Sequence, residues 1–295
     1  MFPTYNSEDP TLLPSMVCFT DILGFSNLVT DAEDEEKNVL LKNIHSRLQE
    51  EYALMRETNE YAQMKTFTDN VILAYPLFMD GEGEAGNLFT TLITYQSNMT
   101  LNGYFLRGGI DFGDYYGDKD FAYGSSLIEA HRLEAYCAKY PRIILSDTML
   151  KLIYFHTEKF YSGIEYAPQM DYLLRDSEGI VFLDYLEGLN PNFQDEDVFP
   201  DDVDKFIQSL QEHKTIVNNH LIKHKENEKV HAKYEWVADY HDYYCKQHVD
   251  SGLLTQNDLK QNDLLINLTA KPKHLFSPVD STFLLDKFKG LVEEK

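Results

Sequence analysis

Asp21 closes an apolar, β-branched run, Met16-Val17-Cys18-Phe19-Thr20-Asp21-Ile22, and Asp69 sits in Thr68-Asp69-Asn70, a turn between two further apolar runs. Carboxylates brought close together repel unless a cation lies between them. Their hard oxygens suit Mg²⁺ or Mn²⁺, and those ions in turn bind phosphate oxygens. Gly24-Phe25-Ser26 follows Asp21 directly. A glycine break before a helix start leaves backbone N–H groups free to meet an anion. In the helical stretch 124–134, Leu127, Ala130 and Leu133 supply the buried side and Arg132 lies close to it. From there its guanidinium can reach a triphosphate and stabilise developing negative charge. Metal carboxylates beside a phosphate cradle point to nucleotide chemistry.

Each residue also has a plainer reading. Asp21 can cap a helix and Asp69 can serve a turn. Arg132 can pair with Glu129 or Glu134 at the surface, Lys65 can be a solvated strand residue, and Phe67 can be core. Arg107 can brace the sheet or approach a base, and His131 reads as a solvated helix residue.

The elements that must position these groups follow from periodicity. Residues 16–22 read as a strand, and Gly24-Phe25-Ser26 starts a helix that the polar segment 31–37 interrupts. Val39, Leu40, Ile44, Leu48, Tyr52 and Met55 mark one buried helix face beyond it. Residues 62–67 and 71–75 form a tight hairpin with Asp69 at its tip, and on that strand Lys65, Phe67 and Asp69 share a face. A helix over 88–101, a strand over 104–112, a helix over 125–140 closed by Pro141, a strand over 142–145 and a hairpin over 172–185 follow. The order β-α-β-β-α-β-α-β predicts an α+β fold with a largely antiparallel sheet, as in a split βαβ or ferredoxin-like domain. In such a sheet the first strand is central and lies beside the hairpin, so Asp21 and Asp69 can meet at one edge.

Near 186–200 the composition turns to Gly, Asn, Pro and acid, which reads as a linker. We therefore divide the chain into a catalytic domain, 1–190, and an α-helical C-terminal region, 191–295. In that region Val203, Phe206, Leu210, Val217 and Leu221 form an apolar stripe, and His213, His220, His224 and His231 extend it at spacings of 7, 4 and 7. Without an acidic helper motif these histidines read as seam residues of a packed helix rather than a metal site. Trp236, Tyr240, Tyr243 and Tyr244 read as aromatics that hold the tail to its own domain or to a partner subunit. The formal charge of −23 argues against nucleic-acid binding and against an anionic membrane surface. No signal peptide opens the sequence, no apolar stretch is long enough for a membrane span, and Cys18, Cys137 and Cys245 form no metal-type pair. A soluble protein of a reducing cytoplasm is expected.

Four segments, in order, resemble the class III nucleotidyl cyclases. Asp21-Ile22-Leu23-Gly24-Phe25-Ser26 matches that family's Asp-Ile-x-Gly-Phe-Thr, and Lys65-Thr66-Phe67-Thr68-Asp69 matches its Lys/Glu-Thr-Ile-Gly-Asp hairpin. Arg107-Gly108-Gly109-Ile110-Asp111-Phe112-Gly113 is similar to its Arg-x-Gly-Ile-x-x-Gly strand. Tyr123-Gly124-Ser125-Ser126-Leu127-Ile128-Glu129-Ala130-His131-Arg132 is similar to its Trp-Gly-x-x-Val-Asn-x-Ala-x-Arg helix. The resemblance covers residues 14–186. It implies that Asp21, Asp69 and the Ile22 carbonyl hold two divalent ions, Mn²⁺ or Mg²⁺. It implies that Phe25 and Ser26 lend backbone N–H groups to the phosphates. Arg132 would then act from the opposite subunit of a homodimer whose active sites lie at the interface.

The departures concern the base. The aspartate that reads a purine three residues before the helix glycine is Phe121 here, the ribose-orienting Asn is Ile128, and Thr68 replaces the glycine before Asp69. Lys65 is kept without its usual acidic partner, so Lys65 and Phe67 would line the base pocket, where a small base can stack on the ring. With a short catalytic domain and a helical tail, these departures resemble the Pycsar cyclases of bacterial anti-phage defence. That resemblance implies conversion of UTP or CTP to cyclic UMP or cyclic CMP plus diphosphate, the product acting on a separate effector protein. The alternatives are an adenylate or guanylate cyclase with an altered pocket and an inactive cyclase-like nucleotide-binding regulator.

Overall fold

The computed structural model describes residues 3–31, 34–58, 61–161, 168–193, 199–267 and 271–288. Strand β1 (Leu13–Ile22) carries Met16, Val17 and Cys18 with no exposed surface, so both its faces are covered and it belongs inside a sheet. It is followed by α1 (Phe25–Asp31), α2 (Asp34–Thr58), β2 (Gln63–Phe67), β3 (Asn70–Pro76), α3 (Glu82–Leu101), β4 (Leu106–Gly117), β5 (Ala122–Tyr123) and α4 (Ser125–Arg132). A π-helical turn (Leu133–Cys137) leads to β6 (Ile143–Leu145), α5 (Asp147–Phe160), β7 (Leu173–Asp176) and β8 (Val181–Leu183). The tail contains α6 (Pro200–Lys223), α7 (Glu228–Asp250), α8 (Gln256–Gln261), β9 (Phe276–Pro278) and α9 (Ser281–Phe288).

The sheet runs β2-β3-β1-β4-β6-β8-β7-β9, with β5 paired to β4. Every pairing is antiparallel except β4 with β6. The expected α+β class, the mostly antiparallel sheet and the helices that follow it are therefore present, and β1 does lie beside the hairpin. On one face, Met16, Cys18 and Ile110 pack with Leu88, Phe89 and Leu92 of α3 and with Met149 and Ile153 of α5. The other face carries α4. A Cβ at Gly109 would come within 2.4 Å of the Ala130 carbonyl oxygen and 2.5 Å of Leu133 Cβ, so only glycine lets α4 rest on the strand.

Several expected boundaries shift. The α4 helix does not continue to residue 140; it loosens into the π turn after Arg132. The segment expected to break the first helix is itself helical from Asp34, and residues 32–33 lie outside the described residues. Residues 194–198 of the expected linker also lie outside them, and its end at Pro200 already belongs to α6. The reading assigned no element to 147–160, where α5 stands. The four tail histidines do not line one helix: His213 and His220 are on α6, His224 caps it, and His231 is on α7.

The tail is built into the same core. Phe105, Ile144, Leu174 and Phe182 share an apolar cluster with Phe206, Trp236, Tyr240 and Tyr244, and β9 adds to the sheet edge at β7. Trp236 stacks on Tyr140 at 5.4 Å and meets Phe182 edge-on at 5.3 Å. Buried Arg142 pairs with Asp176 beneath the Tyr140, Phe182 and Trp236 rings. His213 and His241 join α6 to α7 by a 3.0 Å bond between their Nδ1 atoms. His241 Nε2 must donate to the Leu264 carbonyl, so His213 is the Nδ1 donor, and its Nε2 accepts from Tyr185. Burial lowers both imidazole pKa values, which suits this neutral arrangement.

Removing the tail strips this cover from Phe105, Leu174 and Phe182. A chain ending at residue 190 is expected to lose fixed packing, with loss of near-ultraviolet circular dichroism and gain of dye binding relative to the full chain.

Candidate active site

Asp21 is paired directly across from Arg107 on β4, so both side chains project from the α4 face. Arg107 Nη2 donates to Asp21 Oδ2 at 3.0 Å and forms an ion pair with Glu134 Oε1 at 2.6 Å. Glu134 gets there by way of the π turn, in which the Ala138 N–H bonds back to the Leu133 carbonyl at 2.8 Å. The extra residue in that turn places Glu134 inward while Arg132 stays outward. π turns recur where a functional side chain must be re-aimed. Burial raises the Glu134 carboxyl above its ordinary range, and the Arg107 charge partly offsets this.

Asp69 reaches the same corner from the hairpin. The last pair of the β2–β3 ladder is Phe67↔Asn70, and Thr68 turns the chain with φ 57°. Thr68 Oγ1 donates to Asp69 Oδ1 at 3.0 Å, and Asn70 Nδ2 donates to the Phe67 carbonyl at 3.3 Å. This left-handed turn corrects the expectation that Phe67 and Asp69 share a strand face. Phe67 is 78% exposed, whereas Asp69 is 6% exposed and turned inward. Because β3 lies against β1, with Thr20 opposite Val71, the turn brings Asp69 to Asp21. Burial first, and then the hydrogen bond and charge of Asp21, push the Asp69 carboxyl up to about 7.

Two hard oxygen donors this close, one of them with its carboxyl pushed up to about 7, are a donor set fitted to a hard divalent cation. Among the described residues, no group of three or more His, Cys, Asp or Glu converges as a cage. Backbone, water and phosphate oxygens must complete any coordination, as Mg²⁺ commonly requires. Ile22 follows Asp21 with its side chain buried. The next residue, Leu23, donates its N–H to the Phe105 carbonyl at 2.7 Å, and Gly24 turns with φ 77°, a left-handed conformation that favours glycine. Leu28 N–H is the first amide to bond back, to Gly24 at 3.1 Å, so the Phe25 and Ser26 amides precede the bonded part of α1.

A second corner collects the candidate base contacts. Lys65 stands opposite Ile72, and Ile72 opposite Phe19, which places Lys65 on the face of Asp21. Tyr115 Oη donates to Gln63 Oε1 at 2.7 Å and Gln63 Nε2 donates to the Asp118 carbonyl at 3.3 Å, folding the β4–β5 turn over β2. Phe121 is exposed and stacks on Tyr123 at 6.2 Å. Asp118 accepts from Tyr116 Oη at 2.6 Å and from the Phe121 N–H at 2.7 Å. These bonds, Tyr116 first, hold it below the usual carboxylate range, with the Lys65 charge adding to the effect. Lys65 thus has an acid within electrostatic reach, three residues before the place where the family pattern puts one.

Arg132 does not meet the aspartates of its own chain. Its Nε and Nη2 clasp Glu129 at 2.7 and 2.5 Å on the outer side of α4, with the neighbouring Ile128 70% exposed. Glu134, offered as an alternative partner for Arg132, pairs with Arg107 instead. Arg107, read as a brace of the sheet or a base contact, bridges Asp21 of β1 to Glu134. The inward position of Glu134 and the place of Asp118 beside Lys65 were not read from the sequence; the Asp-x-x-Phe turn spacing was a signal for the second.

No family model and no curated protein matches this chain. Among solved structures, it is similar to the adenylyl cyclase CyaB from P. aeruginosa, with 18% identity over 59% of this chain and 94% of that one and a TM-score of 0.44. It is similar to a class III adenylyl cyclase-like ATP-binding protein from Pseudomonas aeruginosa (16% identity, TM-score 0.40), over 50% of this chain and 37% of that protein's length. A guanylate cyclase domain from Catenaria anguillulae in complex with GTP aligns at 14% identity over 58% of this chain and 93% of that one, with a TM-score of 0.38.

The raised Asp69 carboxyl is directly testable. Carbon-detected NMR of the metal-free protein is expected to show Asp69 titrating near 7, and Asp21→Asn should move it toward the ordinary carboxylate value. A folded-state value above the unfolded one means that Asp69 adds stability below its unfolded pKa. That stability is lost as pH rises through about 7. Mn²⁺ should displace the proton and remove this loss.

Proposed function

We propose that this protein is a nucleotidyl cyclase that converts a pyrimidine nucleoside triphosphate, UTP ahead of CTP, into the 3′,5′-cyclic nucleotide and diphosphate. The observation that carries the reading is the meeting of Asp21 and Asp69 beside the Leu23–Ser26 turn, with the raised Asp69 carboxyl that results. Four motifs in family order support it. Asp21, Asp69 and the Ile22 carbonyl would hold two divalent ions, Mg²⁺ or Mn²⁺, which when bound supply Lewis-acid charge to the phosphates. The Phe25 and Ser26 amides hold phosphate oxygens, and Arg132 stabilises the charge that develops at the α-phosphate. The ribose 3′-oxygen forms a bond to the α-phosphorus as the bond to the diphosphate oxygen breaks, and the hydroxyl proton leaves to solvent. The chain's own contribution is positioning and charge stabilisation.

The outward Arg132 supports action in trans. In a homodimer with sites at the interface, Arg132, Lys65, Phe67 and Phe121 of one protomer face the aspartates of the other. Lys65 and the stacked Phe121 would then meet the base. The cyclic nucleotide would act on a separate effector protein in anti-phage defence. A purine substrate is the second reading, favoured by Asp118 within reach of Lys65, since a lysine–acid pair can read a purine edge.

Purified protein with Mn²⁺ and each of the four triphosphates should give cyclic UMP or cyclic CMP by mass spectrometry; purine products alone would reverse the assignment. Asp69→Ala and Arg132→Ala should each abolish turnover while leaving the circular dichroism spectrum unchanged. Mixing the two inactive variants should restore activity, because one of the two interface sites then has both groups. A mixture as inactive as its parts would exclude the shared site.

A further inference from the structure

The helical tail also reaches the candidate active site. Tyr234 of α7 meets Phe105 edge-on at 5.2 Å and stacks on His220 at 4.3 Å. Phe105 accepts the Leu23 N–H, Leu23 packs against the tail cluster, and Arg107 lies two residues further on. The turn of α7 that carries Tyr234 is therefore fixed against Phe105, the residue that anchors Leu23 and lies two residues before Arg107. The residue before Tyr234 is Lys233, half-buried and within electrostatic reach of Arg107.

Among the described residues, Lys233 has no hydrogen bond and no ion pair. A half-buried ammonium within electrostatic reach of a guanidinium, with no carboxylate of its own among the described residues, is unusual in a chain with 49 acids and 26 basic residues. Burial, with the Arg107 charge adding, holds the Lys233 amine below its ordinary range. Arg107 already has Asp21 and Glu134; Lys233 has none. An anion arriving at the Leu23–Ser26 turn would provide the missing partner.

We propose that Lys233 is a substrate-binding residue, supplied by the tail of the same chain, that pairs with the phosphate groups of the bound triphosphate. This rests on the nucleotide reading of the site above. It gives the tail a direct part in substrate binding, and it adds a cation that none of the four motifs contains.

The test uses the full chain with Mn²⁺ and inorganic tripolyphosphate as the probe, compared by calorimetry for wild type, Lys233→Met and Lys233→Arg. Methionine keeps the apolar stem and removes the charge. Lys233→Met is expected to bind tripolyphosphate about tenfold more weakly, the scale of one charge-assisted bond, with an unchanged thermal midpoint. Lys233→Arg should keep wild-type affinity. In turnover, Lys233→Met should raise KM more than it lowers kcat. Equal affinity of wild type and Lys233→Met overturns the proposal, as does equal loss in Lys233→Met and Lys233→Arg. The two readings fail separately. Wild-type turnover with no effect of Lys233→Met removes only the lysine. Charge-dependent tripolyphosphate binding without turnover of any nucleotide keeps the lysine and removes the cyclase.

Discussion

The structure of the site depends on one electrostatic conflict: Asp21 and Asp69 are brought together at a sheet edge where neither can be fully solvated. The conflict is built by the backbone. The β1–β3 register sets the distance, and the left-handed Thr68 turns Asp69 inward. Arg107 relieves Asp21 from the opposite strand, but it is shared with Glu134 and does not neutralise Asp69, whose carboxyl stays near 7. A stability-driven fold has no reason to gather Asp21, Asp69 and Glu134 at one corner with a single guanidinium that pairs with only two of them. Such an arrangement is retained where a cation or a charged ligand completes it.

Much of this was legible in the sequence. The β1 run, the short Thr68-Asp69-Asn70 connection and the glycines after Asp21 have strong local signatures, and they predicted a central first strand beside a hairpin with two aspartates at one edge. The α4 face was legible too, since Leu127, Ala130 and Leu133 have helical spacing. What was hidden depends on backbone detail and on distant parts of the chain. The strand-face argument for Phe67 and Asp69 failed because Thr68 adopts a conformation that alternation does not include. The π turn cannot be read from spacing, because nothing in Leu133–Cys137 departs from a helical pattern, and so Glu134 was placed on the surface beside Arg132. The role of Arg107 followed only from register, and Lys233 only from the docking of a helix more than one hundred residues away in sequence.

The tail was the least legible part, and for a physical reason. Its stripe of apolar and histidine residues showed that it packs, but not against what. The partners are residues of the sheet, chiefly Phe105, Phe182 and Tyr140, together with the buried Arg142–Asp176 pair. Neutral His213 and His241 are stable there because each ring nitrogen has a complementary partner, which removes the cost of burying two imidazoles. An apparent linker thus leads into helices that complete the core rather than hang from it.

This explains how so acidic a chain could hold a triphosphate. The long-range field of a protein with charge −23 disfavours a polyanion, so attraction must come from groups concentrated at the site. Asp21 and Asp69 cannot supply it; on the proposed function, the divalent cations they hold would. The Phe25 and Ser26 amides supply partial charges, and Arg132 is committed to Glu129 in its own chain. Arg107 is likewise paired with Asp21 and Glu134; among the described residues Lys233, docked by the tail, has no carboxylate partner. On the proposed role of Lys233, a helical tail that completes the core also carries a cation toward the site, which would join folding to substrate binding: loosening α7 would weaken the core and withdraw the charge in one step.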